Sequence, residues 1–220
     1  MKTVAFIPFW ENYESNEFRI KKISGRFLLS YTLEKLNKIL GLDEIYVYAS
    51  SDSVKKYIEP DIEYKYLTRP KYLDNAEVSI EEIINKFLEE TDADIILLLH
   101  PTSPLLKVTS IQTCLNSVKI DGYDSAFSAV KYKKLSWYKM KPINYTLNED
   151  IPKLQEIEPV YDEQSSLYVF NKTSFIENKH RVSGKVKINE IDQIEGLEVR
   201  NKIDFELLEL IINSGMYEEK

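Results

Sequence analysis

The stretch Ile95 to Lys107, IILLLHPTSPLLK, constrains the fold more than any other part of the chain. Its opening run, Ile95 to Leu99, is apolar at every position. It is too short to span a membrane and lacks the alternation of a strand with one wet face, so it reads as a strand buried on both faces of a parallel sheet. The chain then turns polar, His-Pro-Thr-Ser-Pro, with Pro101 and Pro104 tying the segment down. In parallel α/β sheets the loops leaving the carboxyl ends of the strands form the ligand crevice, and this loop is placed there.

Weaker signals on either side supply the rest of such a sheet. Thr3 to Pro8 is a second short apolar run, a further central strand. Leu29, Leu33, Leu36 and Leu40 form one apolar stripe of a helix ended by Gly41, and Glu44 to Ala49 alternates as a strand. Together these make a β-α-β unit, whose crossover is right-handed and whose strands are parallel. Asp52 to Tyr57 reads as a short helix and Glu63 to Tyr66 as a weak third strand. Ser79-Ile80-Glu81-Glu82 opens a helix with Ile80, Ile83, Ile84, Phe87 and Leu88 on its apolar positions, leading into Ile95.

Thr109-Ser110-Ile111-Gln112 caps another helix, with Ile111, Leu115 and Val118 facing inward, before a strand at Asp124 to Val130. Strand character returns at Ser166 to Phe170, a helix follows at Lys172 to Asn178, and Val182 to Val186 crosses into a final strand. Asn201 caps the last helix, whose stripe is Ile203, Leu207, Leu210 and Ile211, with Gly215 beyond it. The expected fold is α/β: a Rossmann-like, mostly parallel sheet with helices on both faces, one domain over 1–220. Between the last two strand groups, Lys131 to Pro159 mixes basic residues, aromatics and prolines without helical periodicity. It reads as an inserted lobe, a lid or oligomer contact rather than a platform for nucleobases.

Charge narrows the partners. With 29 Lys and Arg against 36 Asp and Glu the formal charge is −7, which argues against a general nucleic-acid-binding surface. Cations must therefore be concentrated locally to hold an anion. Arg19, Lys21, Lys22 and Arg26 follow the first strand, as an anion site or a solvated basic face. Cys114 is the only cysteine, which excludes an internal disulfide and a cysteine-cluster metal site, and its place in a helical stripe makes it a core residue. No leader pattern and no spanning run is present, so the expected location is the cytoplasm, with no membrane partner. Asp92-Ala93-Asp94 spells the Asp-x-Asp of glycosyltransferase metal sites, but it precedes the buried strand, away from the crevice, and reads as a solvated turn.

Several segments, in order, carry a resemblance. LLLHPTSPLLK is similar to LLQPTSPLR; Gly25 to Tyr31 before a helix to GKPLIAYT; Ser125 to Val130 to SVVSV; Val160 to Val169 to VYRxNGAIYI; and Leu197 to Phe205 to IDIDTxxDF. Ile7-Pro8 at the end of the first strand and Arg69-Pro70 before a capped helix fit the same series. The chain thus resembles the acylneuraminate cytidylyltransferase family. That resemblance implies attack by the anomeric hydroxyl of an acidic, nonulosonic-type sugar on the α-phosphorus of CTP, releasing pyrophosphate with Mg2+ assistance, in a homodimer joined through the inserted lobe.

Carried onto this sequence, the resemblance assigns Arg19, Lys21 and Lys22 to the phosphates and Arg69 to the nucleotide. It assigns His100, Thr102, Ser103, Gln164 and Ser165 to sugar or nucleotide, and Glu198 to the metal. Two departures stand out. The glycine-rich basic loop ARGGSKGxxRKN is replaced by a stretch with Trp10, Glu11, Asn12 and Glu14, and a like charge ~4 Å from a phosphate costs about 4 kcal/mol at an effective dielectric of ~20. The two aspartates of IDIDT correspond to Glu198 and Arg200, and a guanidinium cannot ligate Mg2+. The alternative expectation is a catalytically inactive relative that binds a ligand or partner in the inherited crevice.

Overall fold

The computed structural model describes residues 1–11, 17–215 and 217, with Glu17 and Arg19 in backbone only. The chain runs through β1 (Thr3–Pro8), a 3-10 turn (Glu17–Ile20), a short hairpin of β2 (Lys22–Ile23) and β3 (Arg26–Phe27), α1 (Leu28–Leu36), β4 (Glu44–Ala49), a 3-10 segment (Asp52–Tyr57) and β5 (Lys65–Thr68). A further 3-10 turn (Lys71–Asp74) precedes α2 (Ile80–Glu90), β6 (Ile95–Leu99), α3 (Val108–Lys119) and β7 (Ser125–Tyr132). The small strands β8 (Trp137–Tyr138) and β9 (Lys141–Pro142) follow, then β10 (Val160–Asn171), α4 (Lys172–Asn178), β11 (Val186–Ile191) and α5 (Lys202–Asn213).

Seven strands form one sheet in the order β11-β7-β10-β6-β1-β4-β5. Every neighbouring pair is parallel except those of β10, which runs antiparallel to both β6 and β7. This is the expected mostly parallel α/β sheet. The uniform apolarity of β6 has a direct cause in the pleat: successive side chains point to opposite faces, and both faces are covered. Ile95, Leu97 and Leu99 enter a core with Leu29, Leu33 and Leu36 of α1 and Ile111, Cys114 and Leu115 of α3. Ile96 and Leu98 enter a second core with Ile83, Ile84 and Phe87 of α2 and Phe175 of α4. A third cluster joins Phe18, Ile23 and Leu28 to Leu105, Val199 and Phe205, Leu208 and Ile211 of α5. It packs the basic segment and the last helix against the loop that follows β6.

Several boundaries differ from expectation for identifiable reasons. The first helix stops at Leu36; the chain leaves through Asn37, Gly41 turns at φ +79°, and Leu40 is exposed rather than part of the stripe. The third strand lies at Lys65–Thr68, paired to β4 from Tyr46↔Lys65 onward. In α3, Thr109 sits inside the helix and does not cap it; the N-cap position is Lys107. Ser79 and Asn201 do cap, Ser79 accepting from the Glu82 N–H at 3.1 Å and Asn201 forming a full capping box with Asp204.

Of the stripe expected on α5 only Ile211 is buried. Phe205, Leu208 and Ile211 face the core, while Ile203, Leu207 and Leu210 are turned to solvent. That helix is apolar on two faces, and periodicity alone cannot choose between them. The segment taken as a long loop, Phe9 to Ser24, contains the 3-10 turn and β2, with residues 12–16 outside the described set. The expected lobe, 131–159, starts two residues inside β7: Lys131 and Tyr132 belong to that strand, Tyr132 pairs with Val160 of β10, and β8 pairs with β9 between them in sequence. Among the described residues no helix is long and apolar enough to cross a membrane.

Candidate active site

The loop after β6 is held on several sides. The His100 N–H donates to Ser166 O at 2.9 Å, and the Val199 N–H donates to Thr102 O at 2.8 Å, tying the loop to β10 and to the segment entering α5. At the far end the Lys107 N–H donates to Glu195 Oε1 at 2.8 Å, and Lys107 Nζ pairs with Asp192 and with Glu195. Glu195 thereby brings a carboxylate to the amino-terminal end of α3, where the exposed N–H dipoles favour it.

From beneath, Lys35 of α1 sends its ammonium to Pro104 O at 2.7 Å and Leu106 O at 2.6 Å, and Tyr217 OH donates to Leu105 O. Lys35 is buried. A buried ammonium is tolerated only where other groups replace its water, and here the loop carbonyls do so. No sequence motif singles out Lys35, which lies seven residues after Leu28 on the side of α1 that the structure buries.

The loop so fixed presents a small polar wall. Thr102, Ser103, Gln164 and Ser166 are buried, and Ser165 is exposed. Gln164 Nε2 donates to Asp162 O at 3.1 Å. Ser103 Oγ, Ser166 Oγ and Glu198 Oε1 are buried without a hydrogen-bond partner. The three sit on segments already bonded to one another: Val199 to Thr102, His100 to Ser166, and the Glu198 carboxylate beside the Ser165 backbone. Buried polar atoms in native proteins are normally satisfied, so unsatisfied ones on segments bonded to one another mark a place where a ligand or water completes the set. Ser166 was missed because a serine in an apolar strand carries no sequence signal of its own.

Glu198 needs a closer description. Its Oε2 accepts from Arg200 Nε at 3.0 Å and forms an ion pair with Nη2 at 2.9 Å. Burial pushes its carboxyl above the usual range, and the Arg200 guanidinium and Ser165 backbone pull it part of the way back. The implied Mg2+ does not fit this donor set. The carboxylate expected to ligate the ion is already paired with a cation, the second expected ligand is that cation, and among the described residues no group of three or more His, Cys, Asp or Glu could hold a metal.

On the other side of β6 a cavity of about 450 Å3 opens at the carboxyl ends of β1 and β4, lined by residues that include Trp10, Glu11, Ser50, Ser51, Lys71 and Asp74. Glu11 is fixed in its wall, accepting from Ser53 Oγ at 2.5 Å and Tyr57 OH at 2.8 Å, and those hydroxyls hold its carboxyl below the ordinary range, Ser53 most strongly. Arg69, expected to hold the nucleotide, is instead an internal pin. It is 1% exposed, donates to Asp74 at 2.5 Å, Phe9 O at 3.0 Å and Tyr48 O at 3.3 Å, and lies 4.3 Å from the centre of the Trp10 ring. The Arg-Pro pattern marks the position in sequence but not which way the guanidinium is spent.

The phosphate-side residues are only partly placed. The Arg19 side chain, like Asn12 and Glu14, lies outside the described residues. Lys21 and Lys22 are exposed, with their ammonium groups over the Phe18 and Phe27 rings at 4.3 and 4.6 Å, and the third cluster sets this segment against Leu105 of the crevice loop. His100 is half-buried between the two sides.

Comparison with known proteins matches residues 19–205 to the family described as Cytidylyltransferase. A curated relative, 3-deoxy-manno-octulosonate cytidylyltransferase 2 of Hydrogenovibrio crunogenus, is 26% identical over 132 residues, covering 58% of this chain and 51% of the relative. The match thus spans about half of that relative's length. Among solved structures, CMP:2-keto-3-deoxy-manno-octonic acid synthetase complexed with CTP superposes with a TM-score of 0.75 at 13% identity, over 98% of this chain and 100% of that one. The 4-diphosphocytidyl-2C-methyl-D-erythritol synthase of Anaerococcus prevotii superposes at 0.61 with 15% identity, over 96% of each chain. Identities this low establish the shared fold.

Proposed function

The chain belongs to the cytidylyltransferase family, and from that premise we propose that it transfers CMP from CTP to an acidic 2-keto-3-deoxy sugar, releasing pyrophosphate. The sugar class covers both the nonulosonic acids of the acylneuraminate resemblance and the octulosonate in the relative's name. The observation that carries this reading is the group of buried, unpartnered polar atoms, Ser103 Oγ, Ser166 Oγ and Glu198 Oε1. Two hydroxyls and a carboxylate oxygen suit a polyol, whose hydroxyls both donate and accept.

In this assignment Thr102, Ser103, Gln164 and Ser166 orient the sugar on the rigid loop. Glu198 accepts from one of its hydroxyls, and Lys21 and Lys22, with Arg19, offset the charge of the phosphates. Lowering the barrier falls to positioning and charge neutralisation rather than to covalent help from the protein. We place the reaction in the cytoplasm and assign dimerisation to the lobe.

The test is pyrophosphate release with CTP, Mg2+ and either 3-deoxy-manno-octulosonate or N-acetylneuraminate. Release with at least one sugar is expected, and none across a panel of such acids would reject the reading. One feature favours the alternative of an inactive binding protein: the ionised Glu11 in the cavity wall, with Arg69 closed off under Trp10. Calorimetry separates the two, because an enzyme of this kind binds CTP and an inactive relative with this wall does not.

A further inference from the structure

We propose that Arg200 is the resident cation of this crevice. Its guanidinium takes the place that the resemblance gives to a protein-bound Mg2+, so the protein holds no divalent ion at Glu198 and any such ion enters only as the counter-ion of the triphosphate. The inference rests on the reaction being placed in this crevice. Its support is geometric.

Arg200 donates from Nε to Glu198 Oε2 at 3.0 Å and brings Nη2 within 2.9 Å of the same oxygen as an ion pair, and the carboxylate beneath is buried. The backbone of Arg200 is fixed as well, its N–H donating to Asp204 Oδ2 at 2.9 Å within the cap of α5. Asp162 and Asp204 add negative charge in the neighbourhood of the guanidinium, which pairs with Glu198.

What remains for a metal is poor. Glu198 Oε1 is the one carboxylate oxygen of the pair without a hydrogen-bond partner, and the groups acting on this carboxylate are the Arg200 guanidinium, the Ser165 backbone and the Asp162 charge. A hard divalent cation needs several oxygens in near-regular geometry, and it would here approach the positive charge already paired with Glu198. The same oxygen suits a neutral hydroxyl donor. A guanidinium also differs from a metal ion in staying when solvent is exchanged, so the crevice keeps this positive charge whether or not nucleotide is present.

The experiment uses the metal alone. The full chain is titrated with Mn2+ and free ion is read by electron paramagnetic resonance, for the wild type, Arg200→Asp and Glu198→Gln, with circular dichroism to confirm folding. The wild type should leave Mn2+ free at about 1 mM, while Arg200→Asp should gain one site at least about tenfold tighter than any in the wild type. If Arg200→Asp does not fold, Arg200→Ser, which only removes the guanidinium, is read in the same way. The proposal is overturned if the wild type binds Mn2+ in a manner that Glu198→Gln abolishes, or if no folded Arg200 variant gains a site. No nucleotide or sugar is present, so failure here leaves the cytidylyltransferase reading standing, and absence of pyrophosphate release leaves this result intact.

Discussion

Lys35 and Glu198 show how far single residues set the properties of the crevice. Replacing Lys35 with Met keeps the bulk of the side chain but leaves the Pro104 and Leu106 carbonyls without their donor. At ~1–3 kcal/mol for a buried group left unpaired, the expected loss is on the order of 2 kcal/mol, measured by urea denaturation. Sugar affinity should fall as well, since Thr102 and Ser103 ride on the same loop. Glu198 carries a pH signature. Its carboxyl is raised in the folded chain, so its contribution is most favourable below the ordinary carboxylate range and is lost as pH rises through the folded value. Glu198→Gln should therefore unfold at higher urea than the wild type at pH 7, with the gap closing in acid; equal midpoints at every pH would contradict this. Of these two residues only Glu198 was legible beforehand, through its place in Leu197 to Phe205. Lys35 was not, because a lysine in a leucine stripe looks the same whether it snorkels to water or turns inward.

Elements were read more securely than their faces. β1 and β6 were legible to the residue because a strand covered on both sides is buried at every position, with Pro8 and His100 marking where that ends, and β4 was legible from its alternation. α5 was legible as a helix from Asn201 and Gly215, but its buried side was not. The expected stripe of Ile203, Leu207, Leu210 and Ile211 reaches the core only through Ile211, and it is the third cluster that brings in Phe205 and Leu208. The direction of β10 was equally hidden, since strand polarity is a property of the neighbours. The lobe yields a prediction at this scale. Trp137, Tyr138, Met140, Ile151 and Leu154 are all exposed on it, a concentration of apolar side chains characteristic of an interface. Sedimentation should show a dimer, and Trp137→Asp with Met140→Asp should release monomer without lowering the midpoint of urea unfolding. A wild type that sediments as a monomer at all concentrations would reject the interface.

At the scale of the whole molecule, β6 joins the two large cores, and the crevice loop joins the first of them, through Leu106, to the third cluster, through Leu105. Leu97→Ala removes a fully buried side chain from the middle of this arrangement and should cost about 3 kcal/mol, with unfolding still a single transition by fluorescence and circular dichroism. The base of the lobe has a different consequence. Because Tyr132 pairs with Val160, the chain leaves the sheet and returns to it on adjacent strands. Residues 133–159 hang from a closed stem, so their length can drift through insertion and deletion, or be exchanged for a foreign segment, while the sheet register and the crevice stay as they are.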